Sequence, residues 1–435
     1  MKVGLKRELN FWTATIYGIG IILGAGVYSL IGGATGLAGN SVWLSFVFAG
    51  VVSAFTGLSY MELISLFPQT AAEYIYVKNA FKNRMLAFNV GWMEIFADVI
   101  ATSAVALGFA GYFHALFGTP LLLSAFALIF FMSLVNFCGI SESSRVNMLF
   151  SIIEVCGLVF VILLALAFGH YGSVNYLEMP NGIGGVLGGA ALIFFAYIGF
   201  EELANMGDET KKPRKNLPKA LMAAVVITTV IYILIGAAVV SLVDWRELAM
   251  SKAPLALAVS AVLGEKAFWL ISVIALFATA NTVLVGMIVG SRMMYGMSRD
   301  GSLPKILSKV HRKRQTPWVA VIVTMLLSMT FISFGQIDIV ASITDLGTFY
   351  IFAFVNAAAI LLRYRMPRAK RTFRAPLNIG RFPLVPFFGL ISSLILASQL
   401  SFEAILIGLS VALLGVFAYV VHEHNVKHSR IRILK

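Results

Sequence analysis

The sequence predicts an all-α integral membrane protein with twelve transmembrane helices. Hydrophobic residues make up 59% of the 435 positions, and the mean hydropathy is +0.89. Only 12% of the residues are charged, against roughly 25% in an ordinary soluble domain. A soluble core cannot absorb so much apolar surface, which excludes disordered chains and disulfide scaffolds. Cys138 and Cys156 both lie in apolar runs and are expected to be inert.

Twelve apolar runs are each long enough to cross a hydrocarbon core of roughly 30 Å, which takes about 20 helical residues. We place these spans at residues 11–33, 40–66, 84–113, 119–138, 146–169, 186–206, 217–243, 264–297, 316–335, 338–363, 383–400 and 403–422. Only short loops separate them, so residues 1–435 are expected to form one transmembrane domain. Nothing resembles a Walker A sequence, which excludes an ATPase.

The net charge of +13 does not indicate nucleic-acid binding, because the basic residues lie in short loops between apolar runs. Lys and Arg concentrate at the N-terminus, in alternate loops and in the tail. Such an excess marks the cytoplasmic side of a membrane protein. We therefore expect a multi-pass protein of the plasma membrane with both termini in the cytoplasm.

Several spans contain carboxyl groups, each of which costs about 2.5–3.5 kcal/mol at a helix centre on the insertion scale. They are Glu62 in the second span, Glu94 and Asp98 in the third, Glu154 in the fifth, and Glu201 and Glu202 in the sixth. At 1.5 Å per residue, Glu94, Glu154 and Glu201 lie about 13–15 Å from the basic ends of their spans. Each is either a buried structural carboxyl or a group that titrates or contacts a cation in a cavity. For Glu62 and Glu202 we expect the structural role.

The first span contains Gly18, Gly20, Gly24 and Gly26 within nine residues, and each glycine weakens a helix by about 1 kcal/mol. Close helix packing and a broken helix are both consistent with this spacing. The sixth span has a second, polar interruption, at residues 195–202. Paired interruptions at corresponding positions of two halves indicate a transporter binding site.

Four segments carry a recognisable series of motifs. They are the glycine-rich residues 18–26, the Y-x-E-L and F-P-x-x-x-x-E-Y motifs of residues 60–76, the G-F-E and N-L-P motifs of residues 199–218, and the S-R-x-x-Y and R-D-G-x-L-P motifs of residues 291–304. In this order they resemble the amino acid–polyamine–organocation (APC) superfamily of secondary transporters. Ala71 and Ala72 replace the glycine pair of that superfamily, and Lys212 replaces its usual Asn.

The resemblance implies a five-plus-five inverted repeat that works by alternating access. The first repeat would cover residues 11–169, the second residues 186–363, and two extra helices residues 383–422. The first and sixth helices would be discontinuous, with unwound centres that hold an amino acid at the midplane. Helix N-termini attract anions, which suits binding of its carboxylate by main-chain N–H groups.

The resemblance implies main-chain contacts at both breaks, with N–H groups of the first span and carbonyls of the sixth. The residues concerned are Ile22, Gly24, Ala25, Gly26, Phe195, Ala196 and Ile198. Candidate gate residues are Glu201, Phe200 and Trp92.

The coupling ion is a second implication. Many proton-coupled relatives carry Lys in the fifth span, seven residues after an Asn. Counting from Asn147, this position is Glu154, so we expect Glu154 to be the proton-coupling group. Alternatively, Glu154 ligates Na⁺ with Thr279 or Asn281 of the eighth span, near Gly20.

The third span bears on the substrate. The cationic branch of the superfamily often has Glu at the position of Ala97, which Asp98 follows here. If Asp98 or Glu94 faces the cavity, a cationic amino acid would be neutralised there, and otherwise a neutral amino acid is expected. We expect cationic amino acids ahead of neutral ones.

Two other classes of protein share features with this sequence. A polyamine carrier has the same fold but no use for a carboxylate site, and a non-transporting nutrient sensor binds without translocating. An enzyme is not expected, because no span pairs a nucleophile with a base. The six His residues have no metal-site spacing, so neither a metal nor a cofactor is expected. The expected partners are an amino acid, protons or Na⁺, and the lipid bilayer.

Overall fold

The computed structural model describes residues 4–251, 253–264, 266–332, 337–398, 400 and 402–433. Almost all of this part of the chain is helical. The α-helices are α1 (Phe11–Ile22), α2 (Ala25–Ala38), α3 (Val42–Leu66), α4 (Ala72–Phe81), α5 (Arg84–Phe117), α6 (Leu121–Cys138), α7 (Ile140–Phe168), α8 (Gly182–Ile193), α9 (Pro213–Leu242), α10 (Trp245–Met250), α11 (Pro254–Leu263), α12 (Lys266–Arg299), α13 (Trp318–Ile332), α14 (Ile337–Arg365), α15 (Leu384–Ser398) and α16 (Phe402–Ile433).

Short elements connect these helices. The 3-10 helices of the described residues lie at Gly39–Ser41, Phe194–Tyr197, Phe200–Glu209 and Lys305–Ser308. An antiparallel hairpin pairs β1 (Asn378–Ile379) with β2 (Phe382–Pro383). Parts of the predicted spans at residues 265, 333–336 and 399 lie outside the described residues.

Ten helical segments in the described part of the chain are long and apolar enough to cross a bilayer. This agrees with the predicted integral membrane protein. α13 and α15 coincide with the predicted ninth and eleventh spans, and their described parts have 15 residues each, fewer than the usual 20 or so. The count of twelve spans and the inverted repeat therefore stay predictions. Large apolar side chains such as Phe131 of α6 and Phe417 of α16 are exposed on the outside of the bundle, where lipid would cover them.

The first predicted interruption is a break in the helix. α1 ends at Ile22 and α2 begins at Ala25, so Leu23 and Gly24 lie between two helices of one span. The start of α1 is fixed by a capping box, in which the Asn10 side chain accepts from the Thr13 N–H at 3.0 Å. No side chain caps the start of α2.

The second interruption is a longer departure from α-helix. α8 passes into the 3-10 turn Phe194–Tyr197, and Ile198 is extended. Gly199 then has φ of 120°, a left-handed conformation that glycine adopts without steric cost. The two breaks meet, because a Cβ added at Gly26 would lie 2.7 Å from Ala196 Cα.

One end of the bundle, here called the basic face, is formed by residues 4–10, α4, and the loops 300–317 and 366–383. Backbone pairing of Leu9 with Thr210 closes part of it. Ion pairs join its helices: Arg292 to Glu209 at 2.9 Å, Arg363 to Glu62 at 2.6 Å, Arg299 to Asp208 at 2.6 Å and Lys78 to Asp300 at 2.5 Å. The first of these pairs is fully buried.

Candidate functional site

A small cavity of about 70 Å³ lies between the two breaks. Its walls come from α1, α2, α5, α12, α14 and the interrupted sixth span. They are Ile21, Ile22, Gly24, Gly26, Ala101, Val105, Phe195, Ala196, Ile198, Gly199, Glu202, Thr282, Val285 and Thr344. The lining is mainly apolar and main-chain, with one carboxyl group.

The start of α2 supplies the N–H groups at this cavity. The first N–H groups of a helix have no partner within the helix, and the helix dipole makes this end positive. Gly24 and Gly26 both line the cavity, so the predicted N–H groups from Gly24 to Gly26 lie beside it. A Cβ at Gly24 would lie 2.4 Å from Thr282 Oγ1, so a larger residue would displace Thr282 from the wall.

The break in the sixth span supplies carbonyl groups. The carbonyl of Phe195 accepts from the Ile198 N–H at 3.2 Å. The carbonyl of Ala196 accepts from the Tyr232 hydroxyl at 2.9 Å. The same hydroxyl lies 2.6 Å from the carbonyl of Ile22, so Tyr232 of α9 joins the two breaks.

Sequence reasoning missed Tyr232. Its side chain is fully buried, and a buried tyrosine hydroxyl usually finds a hydrogen-bond partner. A tyrosine within an apolar span was therefore the available signal. Its two acceptors depend on the breaks and were not visible in the sequence.

Two of the predicted ion-site residues meet beside the first break. Asn281 of α12 donates from Nδ2 to the Gly20 carbonyl at 3.0 Å, and its Oδ1 accepts from Asn147 of α7 at 2.9 Å. Gly20 is required here, because an added Cβ would lie 1.7 Å from Ser151 Oγ. Thr279 does not join this network, since its hydroxyl donates to a carbonyl of its own helix.

Glu154 is fully buried on α7, one turn beyond Ser151. Neither of its carboxyl oxygens has a hydrogen-bond partner in the described part of the chain. Glu154 is not part of the cavity wall. Ser151, one turn before it, lies 3.4 Å from Asn281, which donates to the Gly20 carbonyl beside the first break.

The acids of the third span do not reach the cavity. Glu94 and Asp98 are buried, but α5 presents Ala101 and Val105 to the cavity instead. Asp98 faces α12, with Oδ2 3.9 Å from the Cβ position of Gly290. The sequence favoured a cationic substrate on the condition that Glu94 or Asp98 faces the cavity. Neither residue belongs to the cavity lining.

The three predicted gate residues lie in different places. Glu201 Oε2 accepts from the N–H of Gly199, the residue before the 3-10 helix that follows the break, at 2.9 Å. Phe200 is buried against aromatic rings of α3 and α14. Trp92 donates from Nε1 to the Val411 carbonyl of α16 at 3.1 Å, so it points away from the cavity.

Glu202 lines the cavity, although the sequence assigned it a structural role. One of its oxygens is buried with no hydrogen-bond partner among the described residues. The other acid expected to be structural, Glu62, forms ion pairs with Arg363 and Arg371 near the end of α3. That arrangement agrees with the structural expectation for Glu62.

Comparison with known proteins decides the family. The family profile described as "Amino acid permease" matches residues 9–421. The chain belongs to the amino acid permease family. The resemblance to the APC superfamily is thereby confirmed.

Curated relatives of the permease are named as transporters of several substrates. It is 32% identical to the branched-chain amino acid permease BcaP of Bacillus subtilis, over 98% of this chain and 95% of that protein. It is 29% identical to the methylthioribose transporter of the same organism, over 88% and 86% of the two chains. It is also 29% identical to the cationic amino acid transporter 1 of Arabidopsis thaliana, over 83% of this chain and 63% of that protein.

Proposed function

We propose that the permease is a proton-coupled secondary transporter for neutral aliphatic L-amino acids. The apposition of the two breaks carries this proposal. Uncapped N–H groups at the start of α2 lie across one cavity from the carbonyls around Ala196. A helix N-terminus suits the carboxylate of an amino acid, and main-chain carbonyls suit its ammonium group.

The apolar wall supports a neutral substrate. Ala101, Val105 and Val285 line the cavity, and such side chains favour an aliphatic group of matching size. Glu94 and Asp98, which would neutralise a cation, lie outside the lining. The relative named as a branched-chain amino acid permease is consistent with this substrate class.

A second candidate is the cationic amino acid class. Glu202 is the carboxyl group in the lining, and it is available to pair with a Lys or Arg side chain. The plant relative named as a cationic amino acid transporter is consistent with this alternative.

Glu154 is the proposed proton-coupling group. A buried carboxylate without a partner is costly, so movement of its proton requires its surroundings to rearrange. Ser151, one turn before Glu154, lies 3.4 Å from Asn281, and Asn281 donates to the Gly20 carbonyl beside the first break. Proton exchange at Glu154 would thereby be tied to the geometry of the first break. We place the basic face in the cytoplasm, following its Lys and Arg content.

Uptake into proteoliposomes tests the substrate and the coupling ion together. With an inward proton gradient and no sodium, we expect labelled leucine, valine or alanine to accumulate and arginine not to do so. Accumulation of arginine would support the cationic alternative, and competition by amines without a carboxylate would support a polyamine carrier. A requirement for sodium would overturn proton coupling, and binding without counterflow would indicate a sensor.

The Glu154→Gln variant tests the coupling residue. We expect it to retain substrate counterflow but to lose accumulation driven by the proton gradient. Glu403→Gln is a matched control, because Glu403 is exposed at the start of α16. A Glu154→Gln protein that follows the gradient as the unaltered protein does would rule out this role.

A further inference from the structure

The basic face contains a second cavity, of about 600 Å³, in the loop that follows α14. Five arginines contribute to its wall, namely Arg363, Arg368, Arg371, Arg374 and Arg381. Among the residues that the structure describes, no acidic residue belongs to its lining. The transport site described above uses none of them.

The positive charge of this cavity is only partly neutralised. Arg363 and Arg371 both pair with Glu62, at 2.6 and 3.0 Å. Arg368 and Arg374 are exposed, as is Arg381, and none of the three has an ion-pair partner in the part of the chain that the structure describes. Five positive charges less one negative charge leave a net charge of +4 around the cavity.

Hydrogen bonds hold the loop that carries these arginines. Thr372 donates to the Arg214 carbonyl at 2.5 Å, and the Ala375 N–H donates to Glu62 Oε2 at 2.9 Å. Arg371 donates to the Leu362 carbonyl at 3.1 Å, and the β1–β2 hairpin closes the loop. A loop whose backbone is already fixed loses less conformational entropy when a ligand binds.

We propose that this cavity binds the phosphate group of an anionic ligand, either a phospholipid headgroup or a soluble phosphate compound. Guanidinium groups match phosphate oxygens in bidentate geometry, and a phosphate would relieve the repulsion among the clustered arginines. Exposed apolar side chains border the same loop, with Leu377 62% and Ile379 69% exposed. Their position beside the arginines favours the lipid source.

Two probes distinguish the sources. Native mass spectrometry of the purified permease measures retention of phosphatidylglycerol against phosphatidylcholine. Calorimetric titration with pyrophosphate, in detergent supplemented only with phosphatidylcholine, measures binding of a soluble phosphate.

A pair of triple variants locates the binding. The test variant is Arg368→Gln, Arg374→Gln and Arg381→Gln. The control removes three exposed basic charges from another loop of the basic face, by Lys309→Gln, Arg312→Gln and Lys313→Gln. All six changes are at exposed positions, and thermal unfolding confirms that both variants are folded.

We expect the test variant to lose retention of phosphatidylglycerol by about tenfold or more, since each basic residue near an anionic surface adds severalfold to binding. The control should retain it. Loss of pyrophosphate binding in the test variant alone would support the soluble source. Equal losses in both variants, or no binding of either probe, would overturn the proposal and reduce the cluster to general surface charge. Neither the lipid measurement nor the pyrophosphate measurement depends on which substrate the permease transports.

Discussion

Tyr232 holds two interrupted spans with a single hydroxyl. Its oxygen lies within hydrogen-bond distance of the carbonyls of Ile22 and Ala196, but a hydroxyl has one proton to donate. The proton is therefore shared between the two breaks. A substrate ammonium that engages one carbonyl would leave the hydroxyl to the other, so binding and the geometry of the breaks are linked at this residue.

Tyr232→Phe should weaken substrate binding. A buried polar group left without its partner costs about 1–3 kcal/mol, so we expect affinity to fall about 5- to 150-fold in a radioligand binding assay. The matched control is Tyr350→Phe, whose hydroxyl donates to Asn89 Oδ1 of α5 at 2.7 Å instead of to a break. An equal loss of affinity in both variants would mean that the bridging role is absent.

Gly26 is predicted to tolerate no side chain. A Cβ at this position would lie 2.7 Å from Ala196 Cα, so the main chain of one break would have to move. We expect Gly26→Ala to reduce initial uptake at least about tenfold, since catalytic or transport geometry is sensitive to displacements near 1 Å. Gly108→Ala is the control, because its Cβ would meet no atom within 4 Å. Normal uptake by Gly26→Ala would contradict the close contact of the breaks.

At the scale of elements, the short helix α4 docks on the second half of the sixth span through one asparagine. Asn205 accepts from the Ala72 N–H at 2.8 Å and donates to Glu73 Oε2 at 2.9 Å. Glu73 is fully buried, and this burial raises its pKa from 4.5 to about 7, against the opposing effect of its hydrogen bonds. A titratable group therefore lies at the junction of α4 and the segment that follows the break.

The raised pKa of Glu73 predicts that stability falls as pH rises. The folded chain binds this proton more tightly than the unfolded chain, so the contribution is complete below about pH 4.5 and is lost as pH rises through about 7. The expected loss in unfolding free energy is on the order of 3 kcal/mol. Thermal unfolding of purified protein between pH 4.5 and 8 measures it, and Glu73→Gln should flatten the profile. The exposed Glu247→Gln control should keep the slope, and an unchanged slope in Glu73→Gln would contradict the assignment.

The sequence was most informative about which segments are helices. The predicted span at residues 84–113 corresponds to α5, and that at 217–243 to α9, because a segment within lipid must be apolar and must satisfy its own backbone groups. The breaks were also foreseeable, since glycine and polar residues interrupt both spans. The direction of the side chains was not foreseeable, because it depends on helical phase.

Glu202 and Trp92 show why the sequence does not give the direction in which side chains point. The left-handed Gly199 and the 3-10 helix after it change the rotation per residue, so an ideal α-helical count does not give the direction of the Glu202 side chain. Trp92 lies on an uninterrupted helix, but its partner is the carbonyl of Val411. That contact joins residues 319 positions apart, and a single sequence carries no signal for it.

At the scale of the whole molecule, the basic face is closed by contacts between elements that are distant in sequence. Arg292 of α12 and Glu209 at the end of the sixth span form a fully buried pair. Arg292 also donates to Asn136 of α6, and the carbonyl of Glu209 accepts from the Leu9 N–H at 3.1 Å. One buried ion pair therefore connects the N-terminal segment, α6, α12 and the segment that carries the second break.

Breaking this pair should open the basic face to water. Glu209→Gln leaves a buried guanidinium without its counter-charge, which costs about 3–5 kcal/mol and favours conformations in which Arg292 is hydrated. The reporter is Val285→Cys in the cavity wall, in a chain whose Cys138 and Cys156 are replaced by Ser. In vesicles of known orientation, a charged thiol reagent applied from the basic face should label this cysteine at least about tenfold faster when Glu209→Gln is present.

The control for this prediction is an exposed ion pair. Glu178 lies 3.8 Å from Arg246, with both side chains more than one-third exposed, and such pairs contribute about 0–1 kcal/mol. Glu178→Gln should therefore leave the labelling rate within about twofold of the parent. A labelling rate in the Glu209→Gln chain that is also within about twofold of the parent would mean that the Arg292–Glu209 pair is not needed for closure. The N-terminal segment and the other ion pairs would then keep the basic face closed. A faster rate would identify the Arg292–Glu209 pair as the contact that links closure of the basic face to the segment after the second break.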